Sequence, residues 1–367
     1  MQKKITVMIL PVGPRCNLRC AYCYHGKNIC AAKEPRKMSP GVLSKIFSDS
    51  IDLAENIDFL YHGGEPMMAG LSFFKEVITL QQRFSFHGKI TNSIQTNATL
   101  INDEWADFLV NNHFLVSTSI DGPAHIHDAN RYSASNKGSL DRVLKGVQLI
   151  KSGGARIGCI ALLTKVNAKC SDEVYSALKE SGATGCAIHV CAKNDFDGPD
   201  LVPTIKEALG FMKRLFNSWL KDDDPSFQIR NFQNILRSYF GGRTLDCASG
   251  HNRCSHFIAI DNEGDVYPCH RFVGRKNFSL GNILEKPLAM IYEQSRNVYD
   301  SMADVPKKCH GCRWFNVCGG GCAYERFVVN GTFNGLHPEC ALRQKLYPYM
   351  IKKLNMIKKL TQIELNS

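Results

Sequence analysis

Three closely spaced cysteines directly after an apolar stretch constrain this chain more than any other feature. Residues 5–10 are apolar and rich in β-branched side chains, which predicts a first β-strand. Cys16, Cys20 and Cys23 follow it as C-x3-C-x2-C. A [4Fe–4S] cluster normally takes four thiolates, one for each iron, so three thiolates leave one iron free for a small molecule. The spacing therefore favours a cluster with an open iron at the end of a strand.

A second concentration of cysteines lies toward the C-terminus. The chain has 367 residues and 16 cysteines, of which eight lie in this part. Cys254 and Cys269 belong to a C-x9-G-x4-C motif, and Cys247 precedes it. A C-x2-C-x5-C-x3-C motif contains Cys309, Cys312, Cys318 and Cys322, and Cys340 follows it. Disulfide frameworks belong to short exported chains, and this chain is long and shows no export signal. Zinc remains an alternative for the longer motif, because C-x2-C also suits that ion.

Composition places the chain among globular proteins. Apolar residues make up 44% and charged residues 22%, which excludes wholesale disorder. No apolar run reaches the ~20 residues that a membrane span needs. Pro11 and Pro14 follow the short N-terminal apolar run without a cleavage site, so we expect a cytoplasmic protein. The net charge of +11 favours acidic partners, and no nucleic-acid-binding motif accompanies it.

Short β-rich runs alternate with helical patterns from residue 5 to about residue 220. Strands are predicted at residues 5–10, 57–62, 89–95, 115–120, 156–163 and 186–191. Helical patterns lie near residues 41–55, 71–84, 103–112, 139–151, 172–181, 204–220 and 229–239. Because each spacer can hold a crossover helix, we expect an α/β fold with a parallel sheet curved into a partial (β/α)6 barrel. This barrel would span residues 1–225, followed by a bridging helical segment at 226–246, a cysteine-rich module at 247–345 and a C-terminal helix at 346–367.

Polar or glycine-rich segments follow four of the predicted strands. These segments are the cysteine triplet, Gly63-Gly64-Glu65, Gln95-Thr96-Asn97 and Ser119-Ile120-Asp121. The carboxyl ends of parallel strands meet at one edge of a sheet, where α/β proteins bind ligands, so we expect one site there. A tight turn at the two glycines and a cap formed by Ser119 or Asp121 are the alternatives.

These motifs resemble those of a known enzyme family. Residues 17–24, NLRCAYCY, resemble the signature of radical S-adenosylmethionine (SAM) enzymes. The C-terminal cysteine pattern resembles the SPASM domain, which carries two auxiliary [4Fe–4S] clusters. Residues 61–66 (YHGGEP), 93–100 (SIQTNATL), 119–123 (SIDGP) and 266–269 (VYPC) narrow the resemblance to the anaerobic sulfatase-maturating enzymes and their relatives. It extends from about residue 5 to about residue 350.

The resemblance implies a set of cofactor-binding residues. Cys16, Cys20 and Cys23 would hold the cluster whose open iron binds SAM. Glu65 would be the charged partner of the methionyl ammonium. Arg131 would pair with the SAM carboxylate, with an exposed salt bridge as the alternative. The full set is Tyr22, Gly63, Gly64, Glu65, Gln95, Thr96, Asn97, Ser119, Asp121 and Arg131.

The resemblance also divides the C-terminal cysteines between two clusters, which makes three [4Fe–4S] clusters in total. The cluster nearer the active site would be held by Cys247, Cys254, Cys269 and Cys322, and the distal one by Cys309, Cys312, Cys318 and Cys340. Four thiolates on each cluster leave no iron free, so both would carry electrons. The expected reaction cleaves SAM to methionine and a 5′-deoxyadenosyl radical, which abstracts a hydrogen from a peptide or protein substrate. A flavodoxin- or ferredoxin-type protein would be the electron donor.

One position departs from the sulfatase-maturating pattern. Those enzymes have an aspartate after the last cysteine of C-x9-G-x4-C, where it is thought to deprotonate the residue being oxidised, and this chain has His270. Histidine acts as a general base near neutral pH. The alternative is that His270 donates a hydrogen bond to the neighbouring cluster. Oxidation of a peptide residue remains the expected function, with formylglycine formation as one form of it.

Two other functions remain open at this point. A maturase that installs a crosslink or thioether in a ribosomally made peptide would use the same chemistry on a different substrate. A neighbouring gene for a sulfatase or for a short precursor peptide would separate these two. A non-catalytic iron–sulfur or zinc scaffold belongs to another class, and SAM turnover after anaerobic reconstitution would exclude it.

Overall fold

The strands form where the apolar, β-branched runs predict them. The computed structural model describes residues 3–26, 37–84, 86–192, 200–244 and 246–365. The first six strands are β1 (Ile5–Ile9), β2 (Asn56–Tyr61), β3 (Lys89–Gln95), β4 (Leu115–Ser119), β5 (Ile157–Leu163) and β6 (Gly185–Val190). All six predicted strands are present, and each end lies within one residue of its predicted position.

These six strands lie side by side and run in the same direction. Val7 of β1 pairs with Phe59 of β2, and β3 to β6 continue the sheet in sequence order. Phe59 and Tyr61 are buried on the face of β2 that packs against the helices. The parallel order brings the carboxyl ends of the strands to one edge and confirms the α/β fold class.

Helices connect the strands as crossovers. In chain order they are α1 (Pro40–Ser50), α2 (Leu71–Arg83), α3 (Asp103–Asn111), α4 (Ala124–Asn130), α5 (Leu140–Ser152), α6 (Ser171–Glu180), α7 (Ile205–Asp222) and α8 (Arg230–Tyr239). The Ser39 side chain caps α1 by accepting from Val42 N, and Thr204 with Glu207 forms a capping box at α7. Helix α4 was not predicted, because its 7 residues are too few to show a helical period.

The cysteine-rich module continues the same sheet. Its strands are β8 (Phe257–Ile260), β9 (Asp265–Tyr267) and β10 (Gly281–Asn282), and the short β7 (Gln228–Ile229) precedes them in the chain. Strand β8 pairs in parallel with β1, so the ten strands follow the order β10-β9-β8-β1-β2-β3-β4-β5-β6-β7. The module is therefore attached to the barrel through the strand that leads into the cysteine triplet.

Six helices complete the C-terminal part. They are α9 (Leu288–Gln294), α10 (Arg296–Ala303), α11 (Lys307–His310), α12 (Phe315–Cys318), α13 (Ala323–Asn330) and α14 (Cys340–Leu365). Helix α14 begins at Cys340 rather than at residue 346 and packs against α7 through buried residues that include Leu346 and Met350. Among the described residues, no helix is both long and apolar enough to cross a membrane.

Candidate active site

The cysteine triplet lies in the loop after β1, and backbone contacts fix that loop. Leu18 forms an isolated antiparallel bridge with Ser133. Arg19 N donates to Tyr132 O at 2.7 Å. Both contacts are made to the segment that follows α4, which also carries Arg131. The loop and the arginine are therefore positioned together.

Gly63 and Gly64 pack against the same loop. Gly63 has a φ of +109°, and a Cβ on Gly64 would lie 1.8 Å from the carbonyl oxygen of Arg15. Gly64 N donates to Gly13 O at 3.0 Å, and Glu65 N donates to Arg15 O at 2.7 Å. Glycine is required here because the backbones of the two loops touch. The pair holds the loop that carries the cysteines.

Glu65 joins the ends of β2 and β3. Its side chain is fully buried, and the carboxylate accepts hydrogen bonds from Thr96 Oγ1 at 2.7 Å, Asn97 N at 2.7 Å and Met67 N at 3.0 Å. Burial raises the pKa of Glu65 to about 7, and the three hydrogen bonds oppose that rise. Protein donors occupy both carboxylate oxygens. These bonds tie the ends of β2 and β3 together through Glu65, and its contact with the methionyl ammonium stays a prediction.

Amide side chains connect the end of β3 to the first cysteine. Asn97 Nδ2 donates to Asn17 Oδ1 at 2.8 Å and lies 3.6 Å from Cys16 Sγ. Asn17 Nδ2 in turn donates to Thr99 Oγ1 at 2.8 Å. Asn17 was not among the predicted site residues, although its position beside Cys16 in the motif was a usable signal.

Asp121 and Arg131 form a buried ion pair beside the triplet. Arg131 Nε and Nη2 donate to the two oxygens of Asp121 at 2.9 and 3.1 Å, Leu162 N donates at 2.9 Å, and Tyr22 Oη donates as well. Burial raises the pKa of Asp121, but the Arg131 charge and these hydrogen bonds outweigh it and hold the pKa below its usual range. Arg131 is only 9% exposed, so the exposed salt bridge is wrong. Its guanidinium is committed to Asp121 and lies beside Cys20.

Gln95 and Ser119 lie at the same edge of the sheet. Gln95 Nε2 donates to Thr118 O at 3.1 Å and approaches Ser119 Oγ at 3.4 Å. Both side chains are half-buried. The structure thus brings all the predicted cofactor-binding segments together, and several of their polar atoms already bond to one another.

The three thiols of the triplet form one group. Burial is the main cause that raises their pKa, to about 12 for Cys20, and neighbouring thiols of the triplet raise the pKa of Cys16 and Cys20 further. Thiolates in such a place need a compensating cation. Within the part of the chain that the structure describes, three sulfurs form this group, the number that suits a cluster with one open iron.

The module divides its eight cysteines into two groups. The first, which we call the proximal group, contains thiols that interact electrostatically with one another: Cys247, Cys254, Cys269 and Cys322. The second, the distal group, contains Cys309, Cys312, Cys318 and Cys340. Cys322 belongs to the longest sequence motif but lies with the proximal group. Each group offers four sulfurs, the number that a fully ligated cluster takes.

A cavity surrounds the distal group. All four distal cysteines line it, together with Trp314, Arg343 and Tyr347. Gly319, which follows Cys318, has a φ of +60°, and a Cβ there would lie 2.4 Å from the backbone of Gly250. The chain turns tightly at this glycine and passes from the distal group to the proximal one.

Among the residues that the structure describes, no three His, Cys, Asp or Glu side chains converge closely enough to hold one metal ion. Zinc takes four ligands at about 2.0–2.3 Å. Three groups of sulfur donors, with three, four and four members, match the numbers of thiolates that iron–sulfur clusters take.

His270 faces the carboxyl ends of β1 and β2. Its ring stacks on His62 with centroids 4.4 Å apart and contacts Tyr24 edge-on at 5.8 Å, while Nδ1 lies 3.2 Å from Met8 Sδ. Burial is the main cause that lowers the pKa of His270 well below its usual value, and nearby His62 and Arg271 lower it further.

Sequence reasoning missed the neighbours of His270. Burial lowers the pKa of both His25 and His62 to about 4. Tyr24 Oη and His25 Nε2 are buried and make no hydrogen bond within the described residues. Each of the three adjoins a motif, which was the available signal: His62 directly precedes the glycine pair, and Tyr24 and His25 follow Cys23. Unpaired polar atoms beside His270 suit a polar substrate group.

Two family models match this chain. Residues 10–178 match the radical SAM superfamily, and residues 252–313 match an iron–sulfur cluster-binding domain, SPASM. Among curated proteins, the serine-type anaerobic sulfatase-maturating enzyme of Bacteroides thetaiotaomicron is 31% identical over 97% of this chain and 92% of its own length. The cysteine-type enzyme of Clostridium novyi is 29% identical over 97% of this chain and 98% of its own length.

Solved structures give the same result. The chain superposes with a TM-score of 0.85 and 28% identity on native anSMEcpe with bound AdoMet and Cp18Cys peptide, covering 96% of this chain and 99% of that one. Streptococcus suis SuiB bound to the precursor peptide SuiA matches with a TM-score of 0.66 at 16% identity, covering 92% of this chain and 75% of that one. At that identity the second match shows the fold alone.

Proposed function

This chain belongs to the anaerobic sulfatase-maturating enzymes of the radical SAM superfamily, and from that premise we propose how its residues serve the reaction. It is a radical SAM enzyme that acts on a residue of a peptide or protein. We assign the SAM-binding cluster to the triplet and one auxiliary cluster to each C-terminal group. The observation that carries this assignment is the position of Cys322. Although it is the last cysteine of C-x2-C-x5-C-x3-C, it lies with the proximal group and completes its four thiols.

The residues around the triplet position it and balance its charge. When bound, SAM and the clusters supply a hydrogen-abstracting radical and a path for one electron. Glu65 and Gly64 fix the loop that carries the three cysteines, and Arg131 places a positive charge beside Cys20. The substrate residue loses one hydrogen atom, then one proton and one electron, so it is oxidised by two electrons in total.

His270 is the residue in position to receive that proton. It lies between His62 and Tyr24, next to two unpaired polar atoms. If His270 is the general base, His270→Ala should leave 5′-deoxyadenosine formation intact and lower the yield of oxidised product by ~10²–10⁴-fold. If His270 instead donates a hydrogen bond to the proximal cluster, His270→Ala should lower the iron content, and His270→Gln should largely restore that content.

The identity of residue 270 also bears on which substrate the enzyme oxidises. Sulfatase maturation places a serine or cysteine of a sulfatase at this site, and His270 in place of the aspartate favours a second candidate, oxidation within a ribosomally made peptide. His270→Asp separates them, since it restores the residue that the sulfatase-maturating pattern has. Higher activity of that variant on a sulfatase-derived peptide supports the first candidate, and loss of activity on every peptide supports the second.

The test is anaerobic incubation with SAM, a reductant and candidate peptides. Peptides from sulfatases and from short genes next to this one are analysed by mass spectrometry, and 5′-deoxyadenosine is measured in the same samples. We expect loss of two hydrogens, or a product that requires it, in step with 5′-deoxyadenosine. The variant lacking Cys16, Cys20 and Cys23 is the control, and retained SAM cleavage in it would contradict the radical SAM assignment.

A small acidic electron carrier of the flavodoxin or ferredoxin type is the proposed reductant. The chain carries a net charge of +11, and Lys307 and Lys308 are exposed directly before Cys309 of the distal group. Surface charge of one sign steers an oppositely charged partner and is screened by salt. Reduction by such a carrier should therefore slow as ionic strength rises, whereas reduction by dithionite should not follow the same dependence.

A further inference from the structure

Each of the three cysteine groups has a largely buried arginine next to one of its sulfurs and paired with a carboxylate. Arg131 lies beside Cys20, Arg271 Nη1 lies 3.8 Å from Cys322 Sγ, and Arg343 Nη1 lies 3.3 Å from Cys318 Sγ. A carboxylate holds each guanidinium: Asp121, Glu325 and Glu339 respectively. The pattern recurs in three unrelated segments of the chain, so it is not the consequence of one local motif.

Arg343 lies closer to its cysteine sulfur than Arg271 does, at 3.3 Å against 3.8 Å. Its side chain is 11% exposed, and the same Nη1 that donates to Cys318 Sγ also donates to Ala248 O at 3.1 Å. Glu339 Oε2 accepts a hydrogen bond from Arg343 Nε and lies 3.2 Å from both Nε and Nη2, so it fixes the orientation of the guanidinium. Ala248 follows Cys247 of the proximal group. Arg343 therefore connects the two auxiliary groups directly.

Arg271 is arranged differently beside the proximal group. Its Nη1 lies 2.6 Å from Glu325 Oε1 and only 3.8 Å from Cys322 Sγ, and His337 Nε2 lies 2.7 Å from the other Glu325 oxygen. The positive charge of Arg271 is thus directed mainly at a carboxylate. Arg343 directs more of its hydrogen bonding at the sulfur.

Hydrogen bonds and positive charge at a cluster sulfur favour the reduced, more negative state of the cluster. We propose that Arg343 raises the reduction potential of the distal auxiliary cluster by donating to Cys318 Sγ, and so makes that cluster the preferred acceptor of the substrate electron. The inference rests on the proposed presence of a cluster at the distal group. Arg343 acts through the cluster and is a positioning residue.

The experiment is a redox titration of the anaerobically isolated full chain, followed by electron paramagnetic resonance. The distal signal is identified by its loss in Cys312→Ser. In Arg343→Gln, we expect the ratio of reduced to oxidised distal cluster at a fixed potential to fall about tenfold, which is about 59 mV for a one-electron couple. Arg313→Gln is the matched control, because Arg313 is exposed, directly follows Cys312 of the distal group, and changes the net charge equally when it is lost.

The outcomes separate this inference from the proposed function. A wild-type chain without a distal signal and with too little iron for a third cluster contradicts the cluster assignment itself. A normal distal signal whose potential is the same in Arg343→Gln and wild type overturns the role of Arg343, as does an equal shift in Arg313→Gln. If Arg343→Gln loses iron, Arg343→Lys takes its place: a smaller fall in the same direction supports the inference, and an unchanged potential overturns it.

Discussion

Asp121→Asn should destabilise the chain strongly, since it removes the charge that Arg131 is buried against. Asp121 is fully buried, and four donors converge on its carboxylate: Arg131 through two nitrogens, Leu162 N and Tyr22 Oη. Breaking a buried pair by removing one partner typically costs ~3–5 kcal/mol, because an uncompensated charge remains. We expect a fall of that size in the free energy of unfolding, measured by urea denaturation under anaerobic conditions, together with less iron at the triplet.

Two further variants make this prediction specific. Glu104→Gln removes an exposed pair, in which Lys75 Nζ lies 3.3 Å from Glu104 Oε1 and the side chains are 60% and 68% exposed. Its cost should stay within about 1 kcal/mol. The double variant Asp121→Ala, Arg131→Met removes both charges and should recover much of the loss. If Asp121→Asn costs no more than Glu104→Gln, the reasoning about this ion pair is refuted.

Three other predictions test separate parts of the structure. The pKa of Asp121 lies below its unfolded value of ~3.9, so its contribution to stability should be present above that pH and disappear as pH falls through the folded pKa, which a series of urea midpoints measures. Gly64→Ala should cost ~1–3 kcal/mol and lower SAM cleavage, because its Cβ meets Arg15 O, whereas exposed Gly41→Ala should be neutral or stabilising; equal effects would contradict this. Cys312→Ala should lower iron content and product while leaving some uncoupled SAM cleavage, and stoichiometric zinc in the natively isolated chain would overturn the distal assignment.

Local sequence patterns predicted the barrel strands well, because a short run of apolar, β-branched residues favours a strand regardless of its partners. Strand β8 shows the limit of such patterns. Its pairing with β1 joins Val7 to Ile258 across most of the chain, and neither segment carries a local signal for the other. Helix α4 was missed for a local reason, since its 7 residues are too few to show a helical period.

The sequence predicted where the segments of the candidate site lie more accurately than it predicted which side chains contact one another. Parallel strands required the segments around Glu65 and Asp121 to meet at one edge, and they do. Sequence could not show that Thr96 and Asn97 already occupy the Glu65 carboxylate, or that Arg131 occupies Asp121. Side-chain partners depend on exact loop geometry, which residue type and spacing do not determine.

Label transfer tests the central claim most directly. A peptide that the chain modifies is prepared with deuterium on its target side chain and incubated anaerobically with unlabelled SAM and reductant. If the enzyme oxidises the residue by hydrogen abstraction, 5′-deoxyadenosine should gain one deuterium for each modified peptide, and His270→Ala should still transfer deuterium if the imidazole acts as the base. Modified peptide formed alongside unlabelled 5′-deoxyadenosine would contradict the account.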